Sequence, residues 1–360
     1  MRYLVVPSQE TETWKEYLVS KGWMERTLSI EIEGSGRAIP LSNLFPNKAP
    51  IDLSKFDIIE KNAPIISPND YLGFLKIKVG EKTYNEFENF WPQSFDQIGE
   101  LIIIKLEKEV EIFAKEIAQS LLSQNKKATR IFQDLGVHGN FRIRKLNLIG
   151  GSEKLGGETK VRENGVEFFV DPTKGYYSPR LATERLETLE CAVLLKEKLK
   201  RKLKICDAYA GFGPALMPLI KKNGLVDSIF ANDLNPEVTT ILQKNLIDNN
   251  KENINLRITC EDARKLISLN ENIGFFDLLL VNLPHSTIEH LPTLIGLLNH
   301  SETSVLRAWS IIDSKRLDEV KTQIELLFTS ENFSISKIIV EAARTYSPTQ
   351  VYVKIEVWTN

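Results

Sequence analysis

The second half of the chain is a series of short apolar runs separated by amphipathic stretches. Runs at 205–206, 229–231, 254–260, 276–281, 304–312, 335–341 and 351–358 read as strands. Helical spacing fills the intervals, as at Leu216, Leu219 and Ile220. Strands alternating with helices predict an α/β domain over 171–360 with a mainly parallel, doubly wound sheet. The pattern changes upstream. An apolar run at 101–104, helical periodicity over 110–122 and alternation at 141–144 and 166–170 predict a mixed α+β domain over 71–170, its sheet mainly antiparallel. Residues 1–45 read as a small α/β domain, with a strand at 3–6, a helix through 14–19 and a strand at 28–32. Gly34, Gly36 and Pro40 close it. Pro46, Pro50, Pro64 and Pro68 mark 46–70 as a linker.

Composition changes this picture little. A chain of 360 residues is expected to hold two or three domains, and 42% hydrophobic with 26% charged residues is ordinary for a soluble globular protein. No run approaches the roughly 18 apolar residues of a membrane span. The N-terminus turns polar too early for a secretory signal. Cys191, Cys206 and Cys260 lie in apolar contexts without metal spacing and read as buried small hydrophobes in a reducing compartment. A cytoplasmic protein is expected. Charge adds one feature: the net charge is −2, yet residues 121–204 hold 18 Lys and Arg against 10 Asp and Glu. That excess, just ahead of the stretch described next, suits nucleic-acid phosphates. It equally suits solvated helix faces, as KEKLKRKLK at 196–204 would be, and charge alone does not decide.

Candidate chemistry concentrates at 205–237, ICDAYAGFGPALMPLIKKNGLVDSIFANDLNPE. A buried strand ends in a turn at Gly211-Phe212-Gly213, a helix follows, and the next strand delivers Asp233, twenty residues past Gly213. Glycines let the backbone approach a ligand without a Cβ, and a carboxylate at that interval suits a ribose diol. The third glycine of a dinucleotide fingerprint is replaced by Leu216, and Pro214 removes an amide that would bind a pyrophosphate. S-adenosylmethionine, a nucleoside without phosphates, fits better than a nicotinamide dinucleotide.

Further residues each carry two readings. Asp262, after the third strand, either accepts from an adenine amine or caps the next helix. Asn282-Leu283-Pro284, after the fourth, either holds the edge of a flat base or forms an Asx turn with no partner. Ser178-Pro179 reads as a helix start, with Arg180 and Glu184 four apart on one face as a surface ion pair. Alternatively, Glu184 stands in the cleft beside Tyr176 and Tyr177 as a partly desolvated general base with a raised pKa, and Arg144 supplies a cation to an oxygen that gains charge. His138, His285, His290 and His300 show no metal spacing, and no metal is assigned.

Seven stretches in order resemble the archaeal and eukaryotic type of tRNA (guanine-37-N1)-methyltransferase, a class I, Rossmann-like S-adenosylmethionine enzyme. They are SFDQIGE (94–100), GNFRIRKLNLIGG (139–151), ENGVEFFVDPTKGYYSPRLATER (163–185), DAYAGFGP (207–214), NDLNPE (232–237), EDAR (261–264) and NLPH (282–285). The likeness covers most of 90–300, and YYSPRLATER within the ordered set is its specific part. It implies methyl transfer to N1 of the guanosine 3′ of the anticodon, with Glu184 as general base, Arg144 on the guanine oxygen, and Asn282 and Tyr176 in the same pocket. Cofactor contacts are implied at Arg185, Gly211, Phe212, Gly213, Asp233, Leu234, Asp262, Ala263 and Asn282. The implied partner is tRNA, met at its anticodon stem-loop and outer corner by a monomer, without a membrane. Residues 1–45 would recognise it and 71–170 would orient it. STIEHLP after NLPH departs from the family's aromatic-leucine pair, and 46–93 align poorly; both bear on tRNA docking rather than chemistry. The nearest alternatives are a wyosine-pathway tRNA aminocarboxypropyl transferase and a dual enzyme that also methylates imidazoguanosine. Retention of Glu184 and Asn282 favours methyl transfer over the former. An NAD-dependent oxidoreductase and a tRNA-binding module without catalysis are more remote.

Overall fold

Leu4 and Val6 of strand β1 (Arg2–Pro7) close over Leu18 of helix α1 (Thr11–Ser20) to make the N-terminal core. The antiparallel sheet there runs β2 (Glu31–Glu33), β3 (Gly36–Pro40), β1, β4 (Ile58–Glu60). The strand expected at 28–32 is therefore shorter and later, and Gly36 and Pro40 lie inside a strand instead of ending one. The hairpin turns at Gly34 (φ 55°). Gly36 is there because a Cβ would fall 2.6 Å from the Val6 carbonyl oxygen, so it marks close strand approach and not a break. β4 and the buried Leu53 fall within the span 46–70.

The computed structural model describes residues 1–26, 28–61, 68, 70–139 and 143–360, and these form two compact units, Met1–Phe74 and Leu75–Asn360. Pro64, Phe141 and Arg142 of the sequence reading lie outside the described residues. Helix α2 (Tyr71–Val79) spans the division and α3 (Glu81–Glu86) follows. A four-stranded sheet comes next, with β5 (Asp96–Ile98), β6 (Leu101–Ile104), β7 (Arg130–His138) and β8 (Ile143–Gly151) side by side in that order; helix α4 (Ala114–Gln124) joins β6 to β7. It is antiparallel except between β6 and β7, where the helical crossover permits a parallel pair. The hairpin β9 (Thr159–Glu163), β10 (Val166–Val170) then leads to the C-terminal domain.

In chain order that domain contains α5 (Ala182–Leu199), β11 (Leu203–Asp207), α6 (Leu216–Lys221), β12 (Val226–Asn232), α7 (Pro236–Asn249), β13 (Asn255–Thr259) and β14 (Leu278–Val281). It continues with α8 (Thr287–His290), β15 (Val305–Asp313), α9 (Leu317–Ser330), β16 (Ile335–Thr345) and β17 (Gln350–Thr359). The sheet order is β13-β12-β11-β14-β15-β17-β16, with the first five strands parallel and β17 antiparallel to both neighbours. Ile205, Ile229 and Leu278 join the core under α5, α6 and α7, while Cys206, Phe230 and Leu279 join the core under α9. Alternate residues thus meet protein on both faces, which is why these strands read as continuous apolar runs. Strand order reverses between β11 and β14, the place where open α/β sheets bind ligands.

Helix α5 runs away from that rim, so the basic run 196–204, read as the charged end of a helix, lies about 20 Å from Glu184 towards the far end of the strands. One expectation changes in space. Cys191 and Cys206 are buried, but Cys260 is exposed, because it follows β13 onto the rim. Among the described residues no helix is long and apolar enough to cross a membrane.

Candidate active site

Asp207 ends β11, and the loop after it holds Gly211 (φ 55°) and Gly213 (φ 82°) in left-handed conformations. A Cβ on Gly213 would meet Leu242 at 2.7 Å, whereas one on Gly211 would meet nothing within 4 Å. Gly213 therefore serves packing, and Gly211 faces open space. Phe212 is fully buried and its carbonyl accepts from Asn245 at 2.9 Å, so only its backbone borders the rim.

Asp233, one residue past β12, turns its carboxylate back on this loop. Oδ2 accepts from the Gly211 amide and Oδ1 from the Asn235 amide, each at 2.9 Å. Burial raises its pKa. Each oxygen keeps a second lone pair, enough for two hydroxyls. Leu234 beside it is 54% exposed and presents an apolar surface next to the carboxylate. Asp262 caps the turn Ala263–Ser268 by accepting from the Arg264 amide at 3.0 Å. Pairing with the Arg264 guanidinium at 2.5 Å lowers its pKa to about 2. Ala263 is buried behind it.

Two rim residues were not singled out by motif spacing. Asn232 is buried and brackets three strand ends. Its amide donates to the carbonyls of Ala208 (3.1 Å) and Glu261 (3.0 Å), and its oxygen accepts from the Thr259 hydroxyl (2.8 Å) and the Glu261 amide (3.1 Å). Asp207 is also buried; desolvation pushes its carboxyl up to about 7, with Asp233 adding to the shift. In the sequence it stands at a strand end, four residues before Gly211, and opens the stretch DAYAGFGP.

A second group forms where α5 starts, at the same rim, because α5 feeds β11 from the opposite direction. Ser178 caps the entry as expected, accepting from the Arg180 amide at 3.3 Å. Glu184 Oε1 lies 3.6 Å from Arg344 Nη1, and Glu184 Oε2 is buried without a hydrogen bond. The Arg344 guanidinium lies 4.4 Å from the Tyr352 ring centroid, and Tyr352 has Glu184 and Tyr176 as electrostatic neighbours. The expected pair of Arg180 with Glu184 is absent. Arg180 sits in a 3₁₀ turn before α5 begins, which breaks the four-residue register, and it reaches Asp96 at 2.5 Å. Arg144 also meets Asp96 (3.2 Å) and, more distantly, Asp134 (3.7 Å).

The two tyrosines divide. Tyr176 is 54% exposed, while Tyr177 is buried and donates to Glu163 at 2.8 Å. Arg185 is buried as well, bonded to Glu163 at 2.5 Å and to the Ser178 carbonyl at 3.2 Å, so it stiffens the start of α5. Asn282 follows β14. Its loop is anchored where the Pro284 carbonyl accepts from the Ile311 amide (2.7 Å) and the Ser310 hydroxyl (3.2 Å), and Ile311 pairs with Tyr352 across β15 and β17. Contacts therefore run from the Asn282 loop through Tyr352 and Arg344 to Glu184. Among the described residues no group of three or more His, Cys, Asp or Glu is placed to hold a metal.

Known proteins resemble this chain in sequence and in fold. Residues 159–327 match the TRM5/TYW2 methyltransferase domain, and 78–154 match the TYW2 N-terminal domain. The chain is 31% identical over 297 residues to the tRNA (guanine(37)-N(1))-methyltransferase Trm5b of Pyrococcus abyssi, covering 82% of this chain and 80% of that protein. The crystal structure of wild-type Trm5b from Pyrococcus abyssi superposes with a TM-score of 0.70 at 26% identity, over 100% of this chain and 99% of that one. A structure described as the complex of aTrm5 and tRNALeu shares the fold, with a TM-score of 0.72 at 22% identity over the full length of both chains.

Proposed function

The chain belongs to the TRM5/TYW2 methyltransferase family, and from that premise we propose that it methylates N1 of the guanosine 3′ of the anticodon in tRNA. Its fold is that of class I methyltransferases and its cofactor is S-adenosylmethionine, which removes the oxidoreductase alternative. The observation that carries the reading is Glu184, whose Oε2 is buried with no hydrogen bond at the rim where the cofactor loop opens.

The rim fits the cofactor on its own evidence. Gly211 leaves space where a side chain would intrude, Asp233 keeps lone pairs for ribose hydroxyls, and exposed Leu234 would lie along adenine with Asp262 and Ala263. S-adenosylmethionine supplies a methyl group made electrophilic by a sulfonium. Guanine N1 carries a proton and is a poor nucleophile until that proton leaves; Glu184 accepts it. Negative charge then grows on the guanine oxygen, and Arg144 stabilises it. Asn282 holds the edge of the base and Tyr176 covers its face. Arg185 acts through Glu163 and Ser178 to hold Glu184 in place. Residues 1–45 recognise the outer corner of the tRNA and 71–170 orient its anticodon stem-loop, in a monomer.

One observation favours a second reading, aminocarboxypropyl transfer: residues 78–154 match the TYW2 N-terminal domain. That reaction has no need of a base for N1. The deciding experiment incubates unmodified tRNA transcripts with labelled cofactor and analyses the nucleosides by mass spectrometry. We expect 1-methylguanosine, absent when the guanosine 3′ of the anticodon is replaced by adenosine. An aminocarboxypropyl adduct, or methylation at another site, would overturn the proposal, and imidazoguanosine substrate added to the same assay distinguishes a dual enzyme.

A further inference from the structure

Packing gives Ile98, Gly99 and Glu100 of SFDQIGE a place. Ile98 lies in the core, Gly99 (φ 56°) turns the β5–β6 hairpin where a Cβ would strike the Lys160 carbonyl, and the Glu100 amide donates to the Thr159 hydroxyl at 3.0 Å. Asp96 does none of this. Its Oδ2 accepts from Arg144 Nη1 at 3.2 Å and its Oδ1 from Arg180 Nη2 at 2.5 Å. Arg144 stands on β8, and Arg180 stands in the turn that opens α5, four residues before Glu184.

We infer that Asp96 is the positioning residue for Arg144. It ties the guanidinium assigned to the guanine oxygen to the segment that carries the base assigned to the N1 proton, so the two keep a fixed separation. The inference rests on the reading of Arg144 given above. Hydrogen bonds between ions are directional and about twice as strong as neutral ones, so one carboxylate can order two long side chains. The other carboxylate near Arg144, Asp134 at 3.7 Å, belongs to β7, the strand paired with β8, and so holds Arg144 only within its own hairpin. Arg180, 72% exposed, provides the link to α5.

Without Asp96 the cation is present but no longer aimed. Asp96→Ala and Asp96→Asn should each slow single-turnover methylation by about 10–100-fold, the loss that misplacement of a reacting group produces. Affinity for tRNA should stay within about threefold, and Asp96→Glu should recover part of the rate. The effect must pass through Arg144: in an Arg144→Ala background, Asp96→Ala should cost less than about twofold more. Both single variants should also shift the pH–rate profile upward, since a guanine without an opposing cation gives up its proton at higher pH. A purely structural role would lower Tm, leave the profile in place and add its full cost in both backgrounds. That outcome, or a normal rate for Asp96→Ala beside a slow Arg144→Ala, overturns the inference and leaves the reading of Arg144 standing. A normal rate for Arg144→Ala removes both. If Asp96→Ala does not fold, Asp96→Asn, of nearly equal volume, decides through the same cycle.

Discussion

Asn232→Ala tests whether the rim is built as described. The side chain is 1% exposed and makes four hydrogen bonds, to Ala208, to Thr259 and twice to Glu261. At about 0.5–1.5 kcal/mol each, their loss amounts to roughly 2–6 kcal/mol. A water entering the small polar cavity restores part of this, so about 2–4 kcal/mol is expected. For a domain of this size that lowers Tm by roughly 5–12 °C. Asp233 is the next residue, and once the bracket is gone its carboxylate no longer holds its place under Gly211. Affinity for S-adenosylmethionine should therefore fall at least about tenfold, a change that one charged hydrogen bond can account for. Thermal denaturation and calorimetric titration on one preparation read both effects. A Tm within about 2 °C of wild type together with unchanged affinity refutes the bracket; a lower Tm with unchanged affinity makes Asn232 structural only.

Three further outcomes are expected. Asp233→Ala should weaken cofactor binding about 10–100-fold, the range for hydrogen bonds to an ion, and equal calorimetric affinity would remove the ribose assignment. Gly211→Ala should cost about 1–2 kcal/mol through its positive φ and lower cofactor affinity as well, because the methyl enters open space; normal affinity would place the ligand elsewhere. The Asp207 carboxyl titrates at about 7 when folded against 3.8 for the reference group. Between those values the unfolded chain has lost a proton that the folded one keeps, so cofactor-free stability falls as pH rises from about 4 to 7 and stays low above. Asp207→Asn should flatten that slope and exceed wild type in Tm at pH 8. Parallel pH curves for the two proteins would show that Asp207 is ionised throughout.

The strands of the C-terminal sheet were legible because both faces are buried, as Ile205 and Cys206 show by entering opposite cores. Asp233 was legible because a strand–helix–strand unit sets its distance from Gly213. The Ser178 cap was legible because capping is local chemistry. What the pattern missed depends on contacts far apart in sequence. Glu184 meets Arg344 and Arg180 meets Asp96 only after the sheets are assembled, so neighbours on one predicted helix face suggested the wrong pair. Gly36 and Cys260 misled for a related reason: composition does not tell a glycine under a neighbouring strand from one in a turn, or a cysteine in the core from one on a rim. Asp207 and Asn232 open the stretches DAYAGFGP and NDLNPE, but no spacing rule marks either as the residue that holds the loop behind it.

Single-turnover methylation by Glu184→Gln addresses the chemistry most directly. The substitution keeps the side chain's size and removes its capacity to accept the N1 proton. At saturating tRNA and cofactor the rate should fall by about 10²–10⁴-fold, with cofactor affinity and Tm close to those of wild type. A rate within about threefold of wild type would show that another group takes the proton, and Glu184 would then be no more than the partner of Arg344.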